Sequence, residues 1–484
     1  MSVSNNTKTL LMAFGAALAL AGCGNGADRV VSPGEGAFPP APVTPPPTTP
    51  PPTTPPPTGG PAASCPTGLA NVGTVASNTL RACQLPNLIT GNLVLQKLAG
   101  TVYVINGQVN VGEDLGGDST SPTAGKQAGI LTIEPGVKLF GSAGADSLVV
   151  NRGSQIFAEG TSTDPVVFTS RASIEGETNI DSIGQWGGVV ILGRAPISAC
   201  PGNTVSGTPE CQAAIEGINN VFFGGNAAGD NSGRLRYVRV QHSGFKVSEN
   251  NELNGFSFGG VGNATTIDHI QVHNSSDDGI EIFGGTVNLK YVVLTGNDDD
   301  GLDTDTGWDG AAQFGIVVQR AGGGDHMFEW SAIRRMPYSN PKVSNFTAVG
   351  REAGGELIKL NQGTQAEIYN SVFTRATGAK AALTIEDADT KGTFDSVFFA
   401  APLAFKQAAA EADFNAGTNN VANGTSTLTS TFINGANETA VPAFTGLNGV
   451  SSFFQNVDYI GAVKNSGDTW WQGWTCGLTA DKPC

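Results

Sequence analysis

The chain has 484 residues, of which 66 are Gly, with only 14% charged residues and a formal net charge of −16. Long amphipathic helical patterns are scarce, so the composition points to an all-β protein with many tight turns. The acidic balance argues against a nucleic-acid partner, because phosphate binding needs a basic surface, and suits solubility or cation binding instead.

In chain order, residues 1–22 read as a signal peptide. Lys8 supplies a positive start and Leu10–Leu20 a short apolar run, too short to span a bilayer permanently. Leu20-Ala21-Gly22-Cys23 resembles the lipobox of bacterial lipoproteins, where cleavage before the Cys is coupled to its acylation. That resemblance implies a lipid membrane as partner through acylated Cys23. Gly24 follows the Cys where inner-membrane lipoproteins often carry Asp. In a Gram-negative source this implies an outer-membrane anchor, with the surface or periplasmic face left open. Residues 23–61 form a Pro/Thr-rich linker that cannot bury a core and is stiffened toward polyproline II. At about 3.1 Å per residue, its proline-rich core spans roughly 60 Å.

Beyond Cys23 the chain has six cysteines in three locally spaced pairs. In an exported protein these read most simply as disulfides Cys65–Cys83, Cys200–Cys211 and Cys476–Cys484, out of fifteen possible pairings. Residues 62–90 read as an N-terminal cap. Residues 91–462 read as one solenoid, and residues 463–484, aromatic-rich with the last Cys pair, as a C-terminal cap. Leu93–Leu95, Val102–Val104, Val166–Phe168 and Trp186–Ile191 are expected strands between turns. Glu134–Gly141 is echoed by Asn151–Gly160 at an offset of seventeen. Residues 195–233 break the rhythm as an excursion closed by Cys200 and Cys211.

The clearest repeat has a period of twenty-two. Ile267 falls on Leu289, His269 on Tyr291, Asp277-Asp278-Gly279 on Asp299-Asp300-Gly301, and Glu281 on Asp303. Leu235–Val240 matches Ile267–Val272 across an insertion, and Val343 aligns with Ile368, as Ser371 does with Ser396, at offsets of twenty-five. Variable offsets with loops inserted between short strands predict an all-β fold, a single right-handed parallel β-helix with disulfide-stapled caps. His269, aligned with Tyr237 and Tyr291, predicts a column of stacked rings rather than a metal ligand.

The motifs Trp186–Ile197, Ser276–Val292, Asp298–Trp308 and the ending Asp458–Thr475 resemble an exported bacterial β-helix lipoprotein family. The resemblance implies the fold and brings no established reaction. The architecture is also similar, at fold level only, to pectate lyases and polygalacturonases. The Gly-His-Gly and Arg-Ile-Lys motifs of polygalacturonases are missing.

The candidate chemistry lies in the acidic coils. Matching positions in a β-helix lie about 4.8 Å apart, so Asp277 is expected near Asp299, Asp278 near Asp300 and Glu281 near Asp303. Asp298, Asp305 and Asp309 join the same side. From Asp277 to Asp309 there are nine carboxylates and one Lys, Lys290. Like charges this close repel unless neutralised, and a Ca²⁺ ion with six to eight oxygen ligands would do so. The expected metal ligands are Asp277, Asp278, Glu281, Asp298, Asp299, Asp300, Asp303 and Asp305. Two other readings stay open: turn residues that cap their own backbone, or a carboxylate catalytic pair. Lys290, Arg320, Arg334, Arg335 and Lys359 are the available bases for a lyase, and no motif selects one. Trp308 and Trp330 are expected in loops near the acidic coils, where they either pack as aromatic loop residues or stack on sugar rings. The leading function is a calcium-stabilised surface binding or structural module, with polysaccharide the expected ligand. The alternatives are a calcium-dependent polysaccharide lyase (less readily a hydrolase) and an accessory lipoprotein docked on an outer-membrane transporter.

Overall fold

Alternation of buried and outward positions, broken at each corner by one residue of special backbone geometry, builds the central coils. In a computed structural model, residues 59–484 are described except 219, 249–250, 352–353 and 479–481. The expected signal peptide, Cys23 and residues 23–58 of the linker lie outside the described residues. The strand Asn288–Thr295 shows the pattern. Leu289 faces the core, Tyr291 turns the corner with φ 58°, and Val292 and Leu294 face the core again. A turn then leads to Leu302–Asp305 on the third face of the coil.

Neighbouring coils pair in parallel and in register. Ile267 pairs with Leu289, Ile270 with Val292 and Val272 with Leu294 on one side, and Ile280 with Leu302 on the other. The first two faces merge into one 17-stranded sheet because the central strands run through the corner, while the third face forms a separate 10-stranded sheet. The chain is a parallel β-helix, and its described residues form one compact unit. Columns of Val, Ile, Leu and Phe fill its interior, the arrangement expected where buried strands face one another across a closed coil. Packing is complementary from coil to coil. A Cβ on Gly315 would lie 2.0 Å from the Phe346 ring, so the large side chain of one coil occupies the space its neighbour leaves.

The corner residues Tyr237, His269, Tyr291, Phe314, Asn345, Asn370 and Ser396 all have φ between 45° and 64°. The left-handed region costs a non-Gly residue about 1–2 kcal/mol. Stacking offsets that cost: Tyr237–His269 and His269–Tyr291 centroids are 4.3 Å apart, and Tyr291–Phe314 centroids 5.1 Å. The ring column expected from the alignment is present.

Two echoes in the sequence are not the structural register. Phe140 pairs with Thr169 and Phe157 with Thr132, so the offset of seventeen compared strands on different faces. Val372 pairs with Phe398, one residue away from the Ser371–Ser396 alignment. A one-residue slip inverts a strand's inward set, so the buried positions decide against it.

All three expected disulfides are formed. Cys65–Cys83 staples an antiparallel pair, Ala70–Val75 with Leu80–Gln84, that opens the helix. The ending differs from expectation. The strands stop at Phe398–Ala400, not at 462, and the helix Ala408–Ala416 closes the open end, with Ala410 and Phe414 sunk into the main core. The tail after it is a strap laid along the outside of the coils rather than a compact cap. Side-chain amides hold it in the way a neighbouring strand would. Gln313 donates to Gln455 O at 2.7 Å and accepts Gln455 N–H at 2.8 Å. Asn370 does the same with Phe444, and Gln271 with Cys476. An amide side chain offers the same donor and acceptor as a peptide group. No helix among the described residues is long and apolar enough to cross a membrane.

Candidate functional site

The parallel register carries the Asp-Asp-Gly turns into columns. Asn254, Asp278, Asp300 and His326 occupy one position in successive coils, just before the strands of the third face. Each acidic or amide side chain caps the next coil. Asn254 Oδ1 accepts Asp278 N–H at 3.1 Å, Asp278 Oδ1 accepts Asp300 N–H at 2.9 Å, and Asp300 Oδ1 accepts His326 N–H at 2.6 Å. The turn reading of these residues therefore has substance. A second column points outward from the third face: Ser257, Glu281, Asp303, Glu329 and Lys359. The excursion lies against the same face, with Ile197, Cys200, Cys211, Ile215 and Phe223 packed on Val149, Val190, Leu192 and Phe283. From it Glu216 reaches Glu281 and Asn254.

The acidic surface divides into two parts. In the later coils the charges are matched. Glu329 meets His326 at 3.1 Å and Lys359 at 2.8 Å, His326 also meets Asp300 at 3.1 Å, and Glu356 meets Lys406 at 3.0 Å. Burial opposes a charged imidazole, but the hydrogen bonds to Asp300 and Glu329 prevail and push His326 up to about 10. Burial likewise opposes the Glu329 carboxylate, and its bonds to His326 and Lys359 hold it down to about 2.

The earlier coils are unmatched. Asp277, Asp278 and Asp299 bring one oxygen each to within 4.8 Å of one another, and so do Asp278, Glu281 and Asp303. Asp278 belongs to both groups. The ion pairs formed by this stretch are those of Asp298 with Arg320, Asp300 with His326 and Asp309 with Lys342. None reaches the two triads among the described residues. Burial and then the Asp299 charge push Asp277 up to about 8, and burial with Asp300 pushes Asp299 up to about 7. Burial, then neighbouring carboxylates, hold Asp278, Glu281 and Asp303 well above the ordinary carboxylate range. Asp305 is pushed up to about 6, chiefly by burial, and its Oδ1 is buried without a hydrogen-bond partner among the described residues.

An all-carboxylate set with an orphaned buried oxygen beside it fits a hard, oxygen-seeking cation such as Ca²⁺. Asp277, Asp278, Glu281, Asp299 and Asp303 are the residues that could hold it. Asp300, Asp325 and His326 also cluster, but a protonated imidazole has no lone pair to give a metal. Of the expected ligands, Asp298 is tied to Arg320 at 3.0 Å, Asp300 is committed to His326, and Asp305 stands outside both triads.

The expected aromatic ligands require correction. Trp308 and Trp330 are fully buried in the main core. Trp308 Nε1 donates to Val287 O at 3.0 Å, and Trp330 Nε1 donates to Leu302 O at 3.1 Å while its ring stacks on Phe328 at 4.7 Å. Trp330 lies on a strand at an inward position, and neither ring can meet a ligand. Glu216, Asp325, His326, Glu329 and Glu356 are site residues that the repeat at twenty-two missed. Aligning Asp299–Asp303 with Asp325–Glu329 at an offset of twenty-six finds three of them, but Met327 stands where the turn Gly was sought.

The chain matches the family described as "Pectate-lyase like beta helix domain" over residues 116–475. A domain of this kind fits a carbohydrate-related role in general. No curated protein matches the chain.

Proposed function

We propose, from the premise that the chain belongs to the pectate-lyase-like β-helix family, that it is a Ca²⁺-stabilised carbohydrate-binding module without cleaving activity. Acylated Cys23 would anchor it to the outer membrane. The observation that carries the cation is the pair of carboxylate triads sharing Asp278, within 4.8 Å and without a basic partner among the described residues, beside coils whose charges are matched. Asp277, Asp278, Glu281, Asp299 and Asp303 would hold the ion, which would supply neutralising charge and attraction for oxygens of an acidic glycan.

Binding is favoured over lyase chemistry because elimination needs a base free to take a proton. Each candidate base is engaged or lies away from the ridge. Lys359 holds Glu329 and is raised in pKa by that bond and charge despite burial, and Arg320 holds Asp298 and Asp181. Arg334 pairs with Asp387, and Arg335 donates to Cys200 O at 2.8 Å. Lys290 lies at another corner, over the rings of Phe314 and Phe453.

The test incubates the full chain with acidic and neutral polysaccharides, in Ca²⁺ and in chelator. Absorbance of unsaturated products, new reducing ends and affinity electrophoresis are followed together. The expected result is Ca²⁺-dependent retention on an acidic polysaccharide with no product. Ca²⁺-dependent cleavage would overturn the non-catalytic reading.

A further inference from the structure

The geometry points to a second carbohydrate site at a different corner of the coils: a pocket between the ring column and the C-terminal strap that takes an uncharged sugar ring. The strap carries Tyr459, Lys464, Asp468 and Trp470 beside Tyr291 and Phe314, and together they line an open cavity of about 400 Å³. That volume lies within the range of small-molecule sites.

Its lining has the two surfaces a sugar presents. One is apolar and flat. Tyr291 stacks on Phe314, and Trp470 leans on Tyr291 with centroids 5.2 Å apart. Trp470 is only half-buried, whereas Trp308, Trp330 and Trp474 are fully buried. Its Nε1 is committed to Ala462 O at 3.0 Å, so what it offers is a ring surface. Aromatic faces of this kind pack against the C–H face of a pyranose. The other surface is polar. Gln455 and Asn465 are exposed at the rim, and Tyr291, Tyr459 and Asp468 line the same space, with one Asp468 oxygen accepting Lys464 N–H at 3.2 Å. Phenol, amide and carboxylate together give donors and acceptors for several hydroxyl groups. Burial, then Asp268 beside Tyr291 and Asp468 beside Tyr459, raises both phenols further above their ordinary range.

Charge selects the class of sugar. Among the described residues that line it the cation is Lys464, held by Asp458 at 2.7 Å, with Lys290 over the Phe314 ring, and Asp468 adds a further carboxylate. A uronic acid would meet more negative than positive charge there, while an uncharged ring meets no penalty. The strap is pinned on both sides of the pocket wall, by the Gln313–Gln455 amide pair and by Asn345 Nδ2 donating to Tyr459 O at 3.0 Å. The site is therefore preorganised, which reduces the ordering cost of binding.

This inference shares the carbohydrate reading of the acidic ridge but not its cation, and the test separates them. The full chain is titrated with cellotetraose, maltotetraose and chitotetraose, and with tetragalacturonate as the charged counterpart, in Ca²⁺ and in chelator. Calorimetry and tryptophan fluorescence are read together. A neutral tetrasaccharide is expected to bind saturably in both conditions with a fluorescence change. Tyr291→Phe, which leaves the packing in place, and Asn465→Asp, which keeps the acceptor for Gly467 N–H and removes the amide donors, are each expected to weaken it about tenfold without moving Tm. No binding of any neutral probe, binding unchanged in both variants, or binding lost in chelator would each overturn the pocket. Failure of Ca²⁺ to bind the ridge, with the neutral sugar still bound, would overturn the ridge reading alone.

Discussion

Asp278→Asn separates the two roles of the acidic turns. The side chain supplies an acceptor for Asp300 N–H at 2.9 Å and a negative charge to both triads. Asn keeps the acceptor and removes the charge, and Asn254 occupies the same column one coil earlier, so the substitution fits. Two unit charges 4.8 Å apart repel by about 3 kcal/mol at an effective dielectric constant near 20. Proton uptake relieves part of this in chelator, since Asp277 titrates near 8. The expected gain at pH 8 in chelator is therefore at most one such pair, about 3 kcal/mol. At about 2.1 cal/mol/K per residue over roughly 420 residues, that raises Tm by roughly 3 °C. In Ca²⁺ the gap closes. The wild-type chain gains about 2.7 kcal/mol at a hundredfold excess over Kd, and the variant, short of a shared ligand, gains little. Asp278→Ala serves as the control, because it orphans the Asp300 N–H and costs about 1–3 kcal/mol relative to Asn. Thermal melts in chelator and in Ca²⁺ read all three. An Asn variant less stable than wild type in chelator, or a Ca²⁺ shift equal in both, would refute the argument.

Further expectations follow from the same geometry. In chelator, the protonated forms of Asp277, Asp299 and Asp305, with folded values of about 8, 7 and 6 against an ordinary 3.8, favour the fold. That contribution is fully present below about pH 4 and is lost as pH rises through 6 to 8. Melts are therefore expected to fall in Tm from pH 5 to 8, with Ca²⁺ flattening the decline, and a rise over that window would contradict it. Glu329, held down to about 2, acts in the opposite sense, its stabilisation being lost only as pH falls below about 4.5. Trp330→Ala should cost about 3–5 kcal/mol by emptying core volume, yet leave carbohydrate affinity of the folded protein unchanged. Loss of affinity with Tm intact would return the ring to a binding role. Cys200→Ser with Cys211→Ser opens a loop of eleven residues, costing about 3 kcal/mol. It should also weaken Ca²⁺ binding by loosening the excursion that carries Glu216, and an unchanged Ca²⁺ isotherm would detach that residue from the site.

The coil was legible wherever its period held. From Ile267 to Asp303 each coil is twenty-two residues, no loop intervenes, and the sequence alignment equals the strand register. The ring column was legible for the same reason, since a corner position repeats with the coil. Legibility failed where loops change the offset. His326 and Glu329 stand twenty-six residues after Asp300 and Asp303, so the matched half of the acidic surface was hidden. Trp308 and Trp330 were misread because an aromatic residue beside acidic turns looks like a platform, while burial depends on which side of the coil its position faces. The strap was hidden because its partners are side-chain amides spread over many coils, which leave no periodic trace in the tail. The pocket it forms with Tyr291 was hidden with it.

The most direct test of the account is a calorimetric titration of Ca²⁺ into the full chain after chelator treatment, with Asp278→Asn run alongside. Saturable binding by the wild-type chain that is lost or strongly weakened in the variant is the predicted result. An isotherm without binding, from a wild-type chain whose melting temperature is the same in Ca²⁺ and in chelator, would contradict it. The acidic columns would then be turn caps whose buried carboxyl groups are neutralised by protonation.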